Sequence, residues 1–147
     1  MQIFCYKGIQ ADSIDELLDK ISTIASSQSG FARDRLFTGL SERERISSTS
    51  IGKGVMLPHI RIDGIPEDFL FFFLLKDRIK YNSPDNTDIK IVFLILSPLE
   101  KKSEYLRLVS AIVKMIKNDS IYQQISETQD IDGIKNILIN NLFPRGN

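Results

Sequence analysis

Two short apolar runs, residues 69–75 and 91–96, constrain this chain more than any other feature. Each is continuously hydrophobic rather than alternating, and the first carries three successive phenylalanines, Phe71, Phe72 and Phe73. A run of that length without alternation suits a strand covered on both faces, and no motif supports a cofactor-stacking role for the rings. The polar segment 77–88 separates the runs, with Asn82-Ser83-Pro84-Asp85 as a turn signal.

Around these strands the pattern is helical. Ser13 and Glu16 make a capping box before Ile14, Leu17, Leu18, Ile21 and Ile24, which recur at helical spacing up to Ser26. Residues 31–45 place Phe31, Leu36, Phe37 and Leu40 on one face, with Gly39 weakening the helix somewhat. Ser103 is positioned to cap a helix to Lys117 whose inner face is Leu106, Val109, Ile112, Val113 and Ile116. Residues 120–126 and 131–142 read as two more helical segments, the second capped by Asp130, and residues 144–147 should fray. An apolar stretch at 2–6 reads as a first strand, and residues 62–68, with Gly64 and Pro66, as a loop. The fold class expected is α/β, a layered domain whose central sheet is covered by helices on both faces. With 147 residues the chain fits one domain, 1–147, able to bury about 70% of its unfolded surface.

Lys plus Arg and Asp plus Glu each total 19, so no long-range field favours a polyanion, and nucleic acid is excluded as an expected partner. Cys5 is the sole cysteine and cannot form an internal disulfide; it fits a reducing compartment and reads best as a small buried hydrophobe in the first strand. The N-terminus has no signal-peptide pattern, and the apolar runs are far shorter than the ~20 residues that span a bilayer. A soluble cytoplasmic chain without membrane insertion is expected.

His59 is the only histidine. Pro58 should end a strand at 55–57 and leave His59 at a sheet edge or mouth. Upstream, Gly52 and Gly54 straddle Lys53, a spacing that lets backbone N–H groups turn toward an anion. A zinc site needs three or four ligands, which one His and one distant Cys do not supply, and no Gly-x-Ser-x-Gly elbow presents a hydrolase nucleophile. The neighbours Arg43, Arg45, Lys53, Arg61, Ser48 and Thr49 are cationic or hydroxylic, company that suits an oxyanion. The plain alternative is a structural histidine after a strand-ending proline, beside a two-glycine hairpin turn.

The run from Glu44 through Ile51-Gly52, Val55 and Leu57-Pro58-His59 resembles the phosphorylation-site signature of the type-2 enzyme IIA domains of the bacterial phosphotransferase system. Arg43-Glu44-Arg45-Ile46, Ser48-Thr49 and Ile51-Gly52-x-Gly54 resemble the nitrogen-regulatory branch most closely. The resemblance implies a mixed sheet flanked by helices, His59 as phosphoryl acceptor through Nε2 and Arg43 as its flanking guanidinium. It also implies Thr49 close by, either donating to the phosphoryl group or tying down the turn, and no metal or cofactor. Gly52, Lys53 and Gly54 would cradle phosphate with their backbone. Met56 stands where the family has alanine, Ile60 where it has a small residue, and Tyr105 where many members carry a second histidine; the first two enlarge side chains beside the acceptor.

The implied partners are HPr, or an HPr-like carrier of the nitrogen branch, as donor and an enzyme IIB cysteine as recipient. The other reading is a regulatory module whose phosphorylation controls protein targets. A degenerate homologue that binds partners without accepting phosphate is a third.

Overall fold

The computed structural model describes residues 1–143; the expected fraying at 144–147 lies outside them. The chain forms two compact units, Met1–Leu99 and the residues from Glu100 onward.

The first unit is a six-stranded mixed sheet with two helices. Strands β1 (Gln2–Ile9), β5 (Phe69–Ile79), β6 (Ile89–Pro98), β3 (Val55–Met56) and β2 (Ser50–Gly52) lie in that spatial order, and β4 (His59–Ile62) also pairs with β6. β5 and β6 run antiparallel, while β1 is parallel to β5 and both β3 and β4 are parallel to β6. The expected buried strands are β5 and β6, each longer than the apolar run that marks it. Their alternate residues divide between two faces. Phe69, Phe71, Phe73, Val92, Leu94 and Leu96 join Leu17, Leu18, Ile21, Leu36 and Leu40 in one core, and Leu70, Phe72, Phe93 and Ile95 are buried on the other face. Rings stack along and across the first face, Phe4 on Phe71 at 5.4 Å and Tyr6 on Phe73 at 5.5 Å. On the second face Phe72 meets Phe93 edge to face at 5.3 Å. Truncating one such ring to alanine typically costs about 3–5 kcal/mol.

The two helices of this unit are α1 (Ile14–Ser29) and α2 (Arg33–Ile46). The residues of the expected capping box both act at the start of α1: the Ser13 hydroxyl accepts from the Glu16 N–H at 3.1 Å, and the Glu16 carboxylate accepts from the Asp12 N–H, one residue before the N-cap, at 3.2 Å. Along α2 the buried positions are Leu36, Leu40 and Glu44, one row at i, i+4 spacing that ends on a carboxylate.

The loop expected at 62–68 is preceded by a strand, His59–Ile62, that takes in its first residue. The pairings Val55 with Ile91, Met56 with Val92, His59 with Ile95 and Ile60 with Leu96 keep a constant offset, so β3 and β4 are one line of chain along β6. The line breaks at Leu57-Pro58, where proline has no N–H to give, and the Pro58 carbonyl still accepts from the Ile95 N–H at 3.0 Å.

The second unit holds α3 (Lys102–Lys117), α4 (Asp119–Glu127) and α5 (Ile131–Leu142). Asn118 closes α3 through its own N–H and caps α4 through its side chain, and Asp130 caps α5 as expected. Ser103 does not cap α3: the N-cap is Lys101, without a side-chain bond, and Ser103 lies inside the first turn. The buried row of α3 is Leu108, Ile112, Met115 and Ile116, while Leu106, expected inside, is half exposed at 51%. No helix among the described residues is long and apolar enough to cross a membrane.

Candidate functional site

His59 opens β4 at the point where β2 has ended, so the strand carrying it is paired on one side, to β6. This is the sheet-edge position expected of it. Successive strand residues face opposite ways. Ile60 and Ile62 pack into the core shared with α1 and α2, which puts the His59 ring on the opposite face. Met56 also belongs to that core. The bulk of Met56 and Ile60, expected beside the acceptor, is therefore directed away from it. A Cβ on Gly39 would stand 3.4 Å from Ile60 Cδ1, so the glycine that weakens α2 leaves the space that Ile60 fills.

The His59 ring is half-buried and its Nδ1 lies 2.6 Å from the Leu57 carbonyl oxygen. A carbonyl can only accept, so Nδ1 carries the hydrogen and the neutral ring has its lone pair on Nε2. Burial is the largest influence on the ring's pKa and lowers it; the bond to Leu57 raises it, the Arg43 charge lowers it and the Glu44 charge raises it. The net result is a pKa below the usual 6.5, which keeps the ring neutral and nucleophilic at neutral pH.

Arg43 and Glu44 come from the last turns of α2. The Arg43 guanidinium, near enough to act on the His59 ring, donates to the Ser47 carbonyl at 2.9 Å. Glu44 is 9% exposed, and its carboxylate accepts from the Thr49 N–H at 2.9 Å, the Thr49 hydroxyl at 2.7 Å and the Tyr81 phenol. Burial and the Glu44 carboxylate push the Tyr81 phenol up to about 12. Of the two roles open to Thr49, tying down the turn is the one its hydroxyl performs here.

Lys53 and Gly54 are the two central residues of the β2–β3 turn, with φ of 58° and 73°, the positive pair that marks a type I′ hairpin. Gly54 has no alternative, because a Cβ there would lie 2.9 Å from the Asp88 carbonyl oxygen. The turn does hold an anion, and it is the chain's own: the Lys53 N–H donates to the Asp85 carboxylate at 2.8 Å. His59 lies five residues beyond Gly54, roughly 16 Å along an extended chain. In this structure the Lys53 N–H of the expected phosphate cradle is given to Asp85, at a distance from His59 along the strand. Tyr105 belongs to the second unit, half-buried in the first turn of α3. Arg61, two residues beyond His59 on the same strand face, donates to the Leu99 carbonyl at 3.1 Å. Among the described residues no three His, Cys, Asp or Glu side chains converge as metal ligands would.

Sequence reasoning missed Glu44 and Tyr81 as parts of the site. A signal for Glu44 existed: it continues the Leu36, Leu40 row, and a carboxylate on an apolar row must find donors. Tyr81 lies 37 residues further on, and nothing local links it to Glu44.

A mixed α/β sheet carrying one neutral imidazole at its open edge, with the lone pair on Nε2 and a guanidinium nearby, defines a class of histidine-centred α/β domain. The chain belongs to the EIIA 2 family of the phosphoenolpyruvate-dependent sugar phosphotransferase system, whose sequence model matches residues 2–141. It is 24% identical over 131 residues to a nitrogen regulatory protein of Bradyrhizobium diazoefficiens, covering 89% of this chain and 86% of the relative. Its fold matches that of nitrogen regulatory protein IIA-Ntr from Neisseria meningitidis with a TM-score of 0.86 at 22% identity, over 91% of this chain and 92% of the other. It also matches enzyme IIAMtl of Escherichia coli, solved in complex with phosphorylated enzyme IIBMtl, with a TM-score of 0.73 at 13% identity over 95% and 94% of the two chains.

Proposed function

We propose that the chain is a phosphocarrier in which His59 accepts a phosphoryl group from the phosphohistidine of HPr or an HPr-like carrier. The observation that carries this reading is the bond between His59 Nδ1 and the Leu57 carbonyl, which leaves Nε2 as the basic nitrogen. The Nε2 lone pair forms the new P–N bond as the donor's P–N bond breaks, with that electron pair returning to the donor ring. His59, still protonated on Nδ1, becomes an imidazolium, and the Leu57 carbonyl oxygen faces the proton that carries the charge. Phosphoryl transfer spreads charge over three oxygens, so the protein's task is to position the ring and supply cations. Arg43 is a cation whose charge the ring feels, and its planar fork suits phosphoryl oxygens. Thr49 acts from behind, holding the loop that leads to His59.

Onward transfer to an enzyme IIB cysteine is one fate, in keeping with the IIBMtl complex of the mannitol neighbour. Regulation of protein targets by phosphorylation is the other, favoured by the nitrogen regulatory relatives. A family match running from residue 2 to 141 supports reading the chain as one working domain, and a cytoplasmic location suits both fates. The two are separated by loading the chain with labelled phosphoenolpyruvate, enzyme I and HPr and then adding enzyme IIB. Label that moves to the IIB cysteine within seconds supports transport; label retained through many donor turnovers, with a protein partner whose capture depends on it, supports regulation.

A further inference from the structure

The Glu44 carboxylate is the far end of a continuous hydrogen-bonded line that finishes on the reactive ring. Glu44 accepts from the Thr49 N–H at 2.9 Å; the Thr49 carbonyl accepts from the Leu57 N–H at 3.0 Å; the Leu57 carbonyl lies 2.6 Å from His59 Nδ1. Every member is fixed by something else as well. Glu44 has two further donors, the Thr49 hydroxyl and the Tyr81 phenol, and Leu57 is 2% exposed.

We propose that Glu44, clamped by Tyr81, is a positioning residue that sets the tautomer and orientation of the His59 ring through the backbone of Thr49 and Leu57. Pro58 makes such a device necessary. It has no N–H, so it interrupts the ladder one residue before the histidine, and the Leu57 carbonyl that must aim at Nδ1 cannot rely on strand pairing alone. The loop from Ser47 to Thr49 supplies the missing anchor, since Thr49 grips Leu57 from one side while Glu44 grips Thr49 from the other. The line acts by position: each bond holds the next stretch of the Thr49 and Leu57 backbone in place, and a buried carboxylate with three donors fixes the end from which it is held. Glu44 and Arg43 are neighbours on α2, so one helix turn fixes the ring through Glu44 and presents a cation near it through Arg43. This inference rests on His59 being the reacting group, yet its test needs no phosphoryl transfer.

The test is the nitrogen spectrum of the imidazole in the unphosphorylated chain, unambiguous because His59 is the only histidine. In the natural chain Nδ1 should give a protonated and Nε2 a basic nitrogen signal. Glu44→Gln offers one acceptor oxygen where three donors converge, so the two signals should move toward each other as the tautomers mix. Exchange of the Leu57 amide proton should rise about tenfold, the equivalent of about 1.4 kcal/mol, with the Phe72 amide as the unchanged control. A folded Glu44→Gln chain with the natural nitrogen signals and natural Leu57 exchange would overturn the proposal. If that variant does not fold, Tyr81→Phe is read in its place: a several-fold rise in Leu57 exchange supports the proposal and none overturns it. Should the natural chain fail to take up phosphoryl groups while Glu44→Gln still mixes the tautomers, the positioning role stands and the phosphocarrier reading falls.

Discussion

The vacant side-chain space of Gly39 on α2 is taken by Ile60 of β4: a Cβ at residue 39 would meet Ile60 Cδ1 at 3.4 Å. One residue weakens its helix, the other carries a branched side chain into the space beside it, and each accommodates the other. Gly39→Leu should therefore overpack the contact and cost about 1–3 kcal/mol. Adding Ile60→Ala should recover part of that loss, so the double variant will be more stable than the sum of the single effects implies. Denaturant titration of the four chains measures this.

Arg43 acts on His59 in two ways, and the two separate on substitution. Arg43→Gln removes a positive charge that lowers the ring's pKa, so the His59 titration midpoint should move up. Loss of a charge-stabilising donor from a phosphoryl site should also slow uptake from phospho-HPr by about 10²-fold. Proton NMR of the single imidazole and the initial rate of labelling give the two readouts.

The Asp85 carboxylate locks the β2–β3 hairpin, and its pKa is lowered to about 2, first by the bond from the Lys53 N–H. A depressed carboxylate contributes stability that is present above its ordinary 3.8 and is lost as pH falls through about 2. The Lys53 amide signal should hold steady down to about pH 3 and move near pH 2. Asp85→Asn should abolish that step while leaving the His59 titration in place, since the hairpin tip is remote from the ring.

For His59 the sign runs the same way. Its folded pKa is below 6.5, so the ring's contribution to stability is present above pH 6.5 and is lost as pH falls through the folded value. The midpoint of the imidazole proton-shift titration should fall below 6.5. A midpoint above 6.5 would mean that burial and Arg43 do not govern the ring.

Elements whose pattern is local were legible in the sequence. The double-sided strands followed from unbroken apolar runs, and α1 from its capping box and period. The sheet-edge position of His59 followed from its place after Pro58. What escaped depends on contacts far apart in the chain. Resumption of strand pairing at His59 is dictated by β6 across a proline, and the Asp85 carboxylate that fills the Lys53 turn comes from 32 residues downstream. Ile60 seemed crowded against the acceptor because sequence adjacency was taken for spatial adjacency, and the strand's alternation sends it to the opposite face. On α3, Ile112 and Ile116 are buried as the period implies, but Leu106 fits the same period while being half exposed.

The central claim is that His59 Nε2 takes up a phosphoryl group. Mass measurement of the intact chain after incubation with phosphoenolpyruvate, enzyme I and HPr tests it directly. The natural chain should gain the mass of one phosphoryl group, lost again in mild acid, and His59→Ala should gain none. An unmodified natural chain, or a labelled His59→Ala chain, would contradict the account.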